Sequence, residues 1–154
     1  MAASCINSQP WRYVYAMRDS AEWPAFVDLL FPMNQVWAKN ASALLIACSN
    51  TLMARPDGGS APSPTHSFDA GAAWAMLSLQ ALKMGLQTHA MAGLDRERAA
   101  RDLGIPETVR VEAAIAIGWA GDKATLPEAM QERETPSGRN PVTAFAFESR
   151  FSAG

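Results

Sequence analysis

The sequence predicts one layered domain of the α+β or mixed α/β kind, and three observations carry that expectation. Strand-like and helix-like segments alternate along 154 residues without an internal repeat. With 49% of its residues apolar, the chain can bury a core without disulfides or metals. One long segment, residues 70–82, carries no charge and is apolar on every side, as a helix covered from both directions must be.

Trp11-Arg12-Tyr13-Val14-Tyr15 is aromatic and β-branched and follows Pro10, which reads as a strand. Ser20 is placed to cap a short helix through Trp23 and Pro24, with Phe26, Leu29 and Leu30 at helical spacing and Pro32 ending it. Residues 34–41 read as a polar and aromatic connector. Ala43 to Cys48 is uniformly apolar, the pattern of a strand covered on both faces at the centre of a sheet. Residues 51–66 hold Pro56, Gly58, Gly59, Pro62 and Pro64, and this composition predicts a mobile loop, because little apolar surface is available to offset ordering.

A helix capped by Ser67 or Asp69 follows and runs to Met84, where Gly85 suits the left-handed C-terminal conformation. Trp74, Met76, Leu77, Leu79 and Leu82 leave it no solvated side, so a second copy is expected to cover it and form a homodimer. Gln87–Met91 reads as a short or edge strand, Ala92-Gly93 as a loop, and Asp95 as the cap of a helix from Arg96 to Leu103 that Gly104 and Pro106 stop. Val109 to Ile117 alternates and then runs apolar, a strand expected beside Ala43–Cys48. Beyond the loop around Pro136–Arg139, the apolar stretch Val142–Phe151 is expected to dock on the body or on a partner.

Composition excludes several functions. A formal net charge of -2 supplies no basic field for nucleic acid or an anionic membrane surface. Cys5 and Cys48 form neither a disulfide framework nor a metal-ligand spacing, which suits a reducing cytosol. No N-terminal basic stretch precedes an apolar run, and no segment approaches the roughly 20 apolar residues of a membrane span. A cytoplasmic protein with small-molecule or protein partners is expected.

Side-chain chemistry is sparse. The histidines are His66, read as a cap or a solvent-facing residue, and His89, read as a satisfied core residue on an apolar strand. No Ser, His and Asp set, zinc-ligand cluster, G-x-G-x-x-G or phosphate-loop pattern occurs, and the eight methionines suit packing. No residue is assigned as catalytic or as a metal ligand. Chemistry would then come from a cofactor, which turns attention to the loops.

There, Ser4-Cys5-Ile6-Asn7-Ser8-Gln9-Pro10-Trp11 leading into a strand resembles the Ser-x-x-Asn-x-Gln-Pro-Trp segment of the flavin-dependent nitroreductase family. In that family the serine and asparagine line the flavin of the neighbouring subunit, which implies such a role for Ser4, Cys5 and Asn7. Asn34, in Asn34-Gln35-Val36-Trp37 ahead of an apolar strand, resembles the family asparagine that faces the polar edge of the flavin ring. Asp69-Ala70-Gly71-Ala72-Ala73 resembles the start of the family's long dimer-interface helix, and Gly85-Leu86-Gln87-Thr88 its end. Ala90-Met91-Ala92-Gly93 is similar to the loop whose backbone lies against the flavin near N5, so Met91, Ala92 and Gly93 are implied contacts. Arg139 stands where the family uses a basic residue on the flavin phosphate. Taken by residues alone, these are a capped turn, an ordinary turn and a solvated loop arginine. Their shared order over nearly the whole chain is what identifies the chain as similar to the family.

The resemblance implies a mixed, largely antiparallel sheet flanked by helices, and FMN as cofactor. It also implies ping-pong transfer from NADH or NADPH to nitroaromatics, quinones, enones or small aldehydes. Flavin fragmentation and reductive dehalogenation belong to the same fold. The family's opening helix and Arg-Arg-Ser-like segment have no counterpart before Ser4, and Ser137 stands where a second phosphate-binding basic residue is common. The domain spanning residues 1–154 is therefore expected to be N-terminally truncated relative to the family, with the phosphate resting on Arg139. The alternative expectation is a chain that dimerises but binds FMN poorly and is inactive.

Overall fold

Pro10 sets the entry to the first strand, Trp11–Met17 (β1), which pairs antiparallel with Ala43–Asn50 (β2) from Trp11 opposite Ser49 to Met17 opposite Ala43. The computed structural model describes residues 2–151 and consists of two units, Met1–Ala120 and Gly121–Gly154. Within the first unit, β2 also pairs antiparallel with Val109–Gly118 (β6), and β6 with Gln87–Met91 (β5), giving the order β1-β2-β6-β5. The two most apolar strands are therefore central and neighbours, as their composition demands.

Between β1 and β2 lie two helices, Trp23–Asp28 (α1) and Pro32–Ala38 (α2). Two expectations are corrected here. Ser20 does not cap α1, which has Glu22 at its N-cap position; the buried Ser20 hydroxyl has no hydrogen-bond partner among the described residues. Pro32 does not merely end a helix, and of the expected connector 34–41 only residues 39–41 are one, because proline at the first helical position, where no N–H is needed, opens α2. The segment expected to be a loop, residues 51–66, contains a small hairpin of Leu52–Ala54 (β3) and Ser60–Pro62 (β4). Gly58, at φ 83°, and the Asp57 carboxylate, which accepts from Gly59 N–H at 3.0 Å, close its turn.

The long helix runs His66–Lys83 (α3) with Thr65 at the N-cap position, two or four residues before the expected caps Ser67 and Asp69. Its end is as expected: Gly85 takes φ 79° and Leu86 N–H donates to Ala81 O at 2.9 Å. Arg96–Asp102 (α4) starts at Asp95, whose carboxylate accepts from Arg98 N–H.

The sheet separates two layers. Leu44, Ile46 and Cys48 of β2 face α1, α2 and α4, in a core with Trp23, Phe26, Leu29, Ala38, Met91, Leu94 and Ala99. The Cys48 thiol is pushed up to about 11 by burial and by the nearby Glu112 carboxylate. Alternate residues face α3, which rests on the sheet through Ala70, Ala73 and Ala81. Within this single chain α3 is not buried all round: Phe68, Met76, Leu79, Leu82 and Met84 form an exposed apolar stripe along it. Helix α3, with 18 residues, is the longest element, and no described helix is long and apolar enough to cross a membrane.

The second unit holds a single-turn helix, Glu128–Gln131 (α5), between 3-10 turns at Lys123–Thr125 and Val142–Ala144. Phe147 and Phe151 meet edge to face at 4.8 Å.

Candidate functional site

Where β5 ends, the chain turns through Ala92 and Gly93 and returns beside α2. Asn34 sits in the first turn of α2, and its Nδ2 donates to Gly93 O at 3.0 Å, joining residues 59 positions apart. Phe31 N–H donates to the same carbonyl at 3.0 Å, so Gly93 O is doubly engaged. Gly93 is required by closeness rather than by φ: a Cβ there would lie 2.6 Å from Asn34 Nδ2. Gly93 N–H and Ala92 N–H, in contrast, make no hydrogen bond within the protein among the described residues.

These groups line an open groove of about 580 Å³, together with Phe31, Pro32, Met33, His89, Ala90 and Met91. Its walls carry no Asp, Glu, Lys or Arg. An apolar cleft with a few convergent polar groups and free backbone donors suits a flat heterocycle with polar edges. The structure thus brings together Asn34, Met91, Ala92 and Gly93, four of the eight residues singled out in the sequence.

Ser4, Cys5 and Asn7 are not on this groove. Their loop lies at the start of α3, with Cys5 N–H donating to the Asp69 carboxylate at 3.1 Å and Ser4 Oγ accepting from Gln9 N–H at 3.1 Å. Ile6, Asn7 and Gln9 all have positive φ, at 51°, 54° and 46°. For β-branched Ile6 this is a strained conformation, costing about 1–2 kcal/mol, of a kind that gathers at active sites and ligand clamps. Arg139 belongs to the second unit, where its Nη1 donates to Ser137 O, Ser137 Oγ and Gly138 O within its own loop.

Both histidines are misplaced by the sequence reading. His89 is exposed on β5, lines the groove, and meets the Trp37 ring edge to face at 4.8 Å, so it is not a core residue. The alternation of β5 puts it on the α2 side, at an edge strand with no further strand to cover it. His66 neither caps α3 nor simply faces solvent: its Nδ1 lies 2.7 Å from Ser49 Oγ. Ser49 Oγ donates to Glu112 Oε1 at 2.6 Å, and Ser67 Oγ donates to the same oxygen at 2.5 Å. With Ser49's hydrogen committed to Glu112, His66 Nδ1 is the donor of its bond.

A β-bulge creates this cluster. Ala47 pairs with Ala113 and Cys48 with Val111, leaving Glu112 as the extra residue turned towards α3. Burial works to raise the Glu112 carboxyl, but the hydrogen bonds from Ser49 and Ser67, with Arg110 and His66 nearby, outweigh it and hold the group below its usual range. Ser49 is fully buried, which removes it as a nucleophile and makes the cluster structural. Ser49 and Glu112, polar residues within apolar strands, were the available signals in the sequence.

Comparison with known proteins bears on the family and the fold. The model of the Nitroreductase family matches residues 1–119. A solved structure described as an oxidoreductase containing FMN is 49% identical, covering 99% of this chain and 77% of that one at a TM-score of 0.95. An uncharacterized 15.4 kDa protein in the ask 5′ region of Mycolicibacterium smegmatis is 38% identical over 117 residues, 75% of each chain. A putative nitroreductase from Desulfovibrio desulfuricans, solved in complex with FMN, shares the fold at 20% identity and a TM-score of 0.68, covering 98% of this chain and 78% of that one. The sheet order, the flanking helices and the matched residues all lead to one assignment: the chain belongs to the nitroreductase family.

Proposed function

We propose that the chain is an FMN-dependent oxidoreductase that uses NAD(P)H to reduce small quinone or nitroaromatic acceptors by a ping-pong mechanism, as a cytoplasmic homodimer. The observation that carries this is the groove at Gly93, where a cradle too close for a Cβ sits beside an oriented Asn34 amide and two unpaired backbone N–H groups. Those groups fit a flavin ring, and the 49% identical structure is described as containing FMN. Bound FMN would supply two-electron chemistry, taking hydride from a nicotinamide and returning it to an acceptor.

The residues named here act by binding and orientation. Asn34 offers its amide to the polar edge of the ring while its bond to Gly93 O fixes its direction. The free N–H groups of Ala92 and Gly93 are preorganised donors towards a site of developing charge. The apolar stripe of α3 is the surface that a second copy would cover, and Ser4, Cys5 and Asn7 at its base are the residues it would present to that copy's cofactor. Arg139 is the candidate for the phosphate.

The test is to saturate the purified full chain with FMN, remove the excess, and follow NADH and NADPH oxidation with menadione. A yellow protein that turns over with either nicotinamide is expected. A chain that stays colourless and inert after saturation would falsify the proposal.

A further inference from the structure

One side chain able to pass a proton lines the groove. Among Phe31, Pro32, Met33, Asn34, His89, Ala90, Met91, Ala92 and Gly93, His89 alone has a side chain of the kind that serves as a general acid or base. Among the described lining residues it is the one acid or base. Resting on the proposed flavin function, we infer that His89 donates a hydrogen bond and then a proton to the acceptor oxygen, for acceptors such as quinones that develop negative charge on oxygen as they are reduced.

The surroundings suit that task. The imidazole stands edge to face with Trp37, which fixes the ring plane without using either nitrogen. Neither nitrogen makes a hydrogen bond or ion pair within the protein among the described residues, in contrast to His66, which is tied to Ser49. Its strand is at the sheet edge and the residue is exposed, so water can restore a proton after each transfer.

Among the described residues of the first unit, the elements around it bring no charge against it. Helix α2 carries no charged residue, and Lys39, the first beyond it, is exposed. The part of β6 paired with β5, Ala114–Gly118, is uncharged, and Arg110 and Glu112 lie at the other end of that strand. Helix α3 packs on the opposite face, with His66, Asp69 and Lys83 near its ends.

The balance is simple. A quinone takes a hydride, two electrons and one proton, from reduced flavin and becomes the hydroquinone monoanion. The N–H bond of the His89 imidazolium breaks as an O–H bond forms on that anion, giving the hydroquinone and a neutral imidazole that water reprotonates. General acids of this kind typically contribute 10²–10⁴-fold. In an open groove, where water competes as the donor, about tenfold is expected.

The experiment uses FMN-loaded wild type, H89Q and H89F, reduced anaerobically and mixed with menadione in a stopped-flow instrument from pH 5.5 to 8.5. The readout is the ratio of wild-type to variant reoxidation rate constants, which cancels any titration belonging to the flavin itself. The ratio to H89Q is expected to be about 10 at pH 5.5 and to approach 1 by pH 8.5, since a general acid acts only in its protonated form. FMN dissociation constants should stay within about twofold, since no ring contact is assigned to His89, and H89F controls for filling the space beside Trp37 without a donor. A ratio that stays near 1 across the range overturns the inference and leaves the flavin function standing. Wild type that binds no FMN, or whose reduced form menadione does not reoxidise, overturns both.

Discussion

Replacing Gly93 by alanine separates the stability of the loop from its use as a site. The new Cβ would lie 2.6 Å from Asn34 Nδ2 and 3.4 Å from Phe31 Cδ2. The nearest atom is the tip of a side chain, so the amide swings away and the backbone holds. What is lost is the 3.0 Å bond from Asn34 to Gly93 O. A part-buried hydrogen bond contributes about 1 kcal/mol, and a glycine-to-alanine change outside the left-handed region returns about 0.4–1 kcal/mol by restricting the unfolded chain. These nearly cancel, so the melting temperature of the apo protein should move by less than about 4 °C. Affinity should behave differently if Asn34 contacts the ring as proposed, because its displacement forfeits that hydrogen bond. A loss of about 1.5–3 kcal/mol corresponds to FMN binding roughly 10- to 100-fold weaker. Flavin fluorescence titration measures the affinity and circular dichroism the melting temperature. The double variant with Asn34→Ala supplies the control: since Asn34 is what the methyl strikes, adding G93A to N34A should cost far less than G93A alone. An unchanged affinity in G93A, or strictly additive losses in the double variant, would refute Asn34 as the contact.

The polar cluster and the α3 stripe give two further expectations. Glu112 has a lowered pKa in the folded state, so its charge contributes stability above the unfolded value of 4.5 that is lost as pH falls through the folded one. E112Q should therefore melt about 3 °C below wild type at pH 7, with the gap closing towards pH 3, and parallel melting curves would show the carboxylate to be unimportant. Leu79→Glu puts a charge in the middle of the exposed stripe, where Leu79 is 56% exposed in the single chain. Light scattering should find a dimer for wild type and a folded monomer for L79E, and a wild-type monomer would sink the dimer proposal.

The sheet was legible because its two central strands are the two most apolar runs, and a strand buried on both faces leaves few other patterns. Helix α3 was legible for the same reason at the helical period, and Gly85 marked its end. Short elements failed where one residue has two uses. Pro32 can stop a helix or open one, and the choice depends on Phe31 being held by Gly93 O, a contact 62 residues away. The hairpin at residues 52–62 is held by ladder hydrogen bonds that a composition rich in proline and glycine does not reveal. For the site, Asn34 and Gly93 were visible only through resemblance, since no local pattern says that they touch. His89 is not legible because an apolar strand suggests burial, whereas an edge strand at a groove offers an exposed place on either face. His66 failed because the bulge that aims Glu112 at it is an irregularity of register.

The first turn of α3 connects these features mechanically. Asp69 is buried there, accepting from Cys5 N–H and from Thr65 Oγ1 at 3.0 Å, while Ser67 and His66 from the same turn grip Glu112 and Ser49 of the sheet. A loop with three residues at positive φ needs outside bonds to stay in place, and Asp69 supplies one from a helix that the sheet itself holds. If α3 meets its symmetry mate through the Leu79 and Leu82 stripe, Ser4, Cys5 and Asn7 are carried on the same rigid piece. Their placement towards the other copy is then set by the sheet and α3 of their own chain. In that dimer the apolar stripe would supply the association energy, and the polar cluster at its end the register at which the loop arrives.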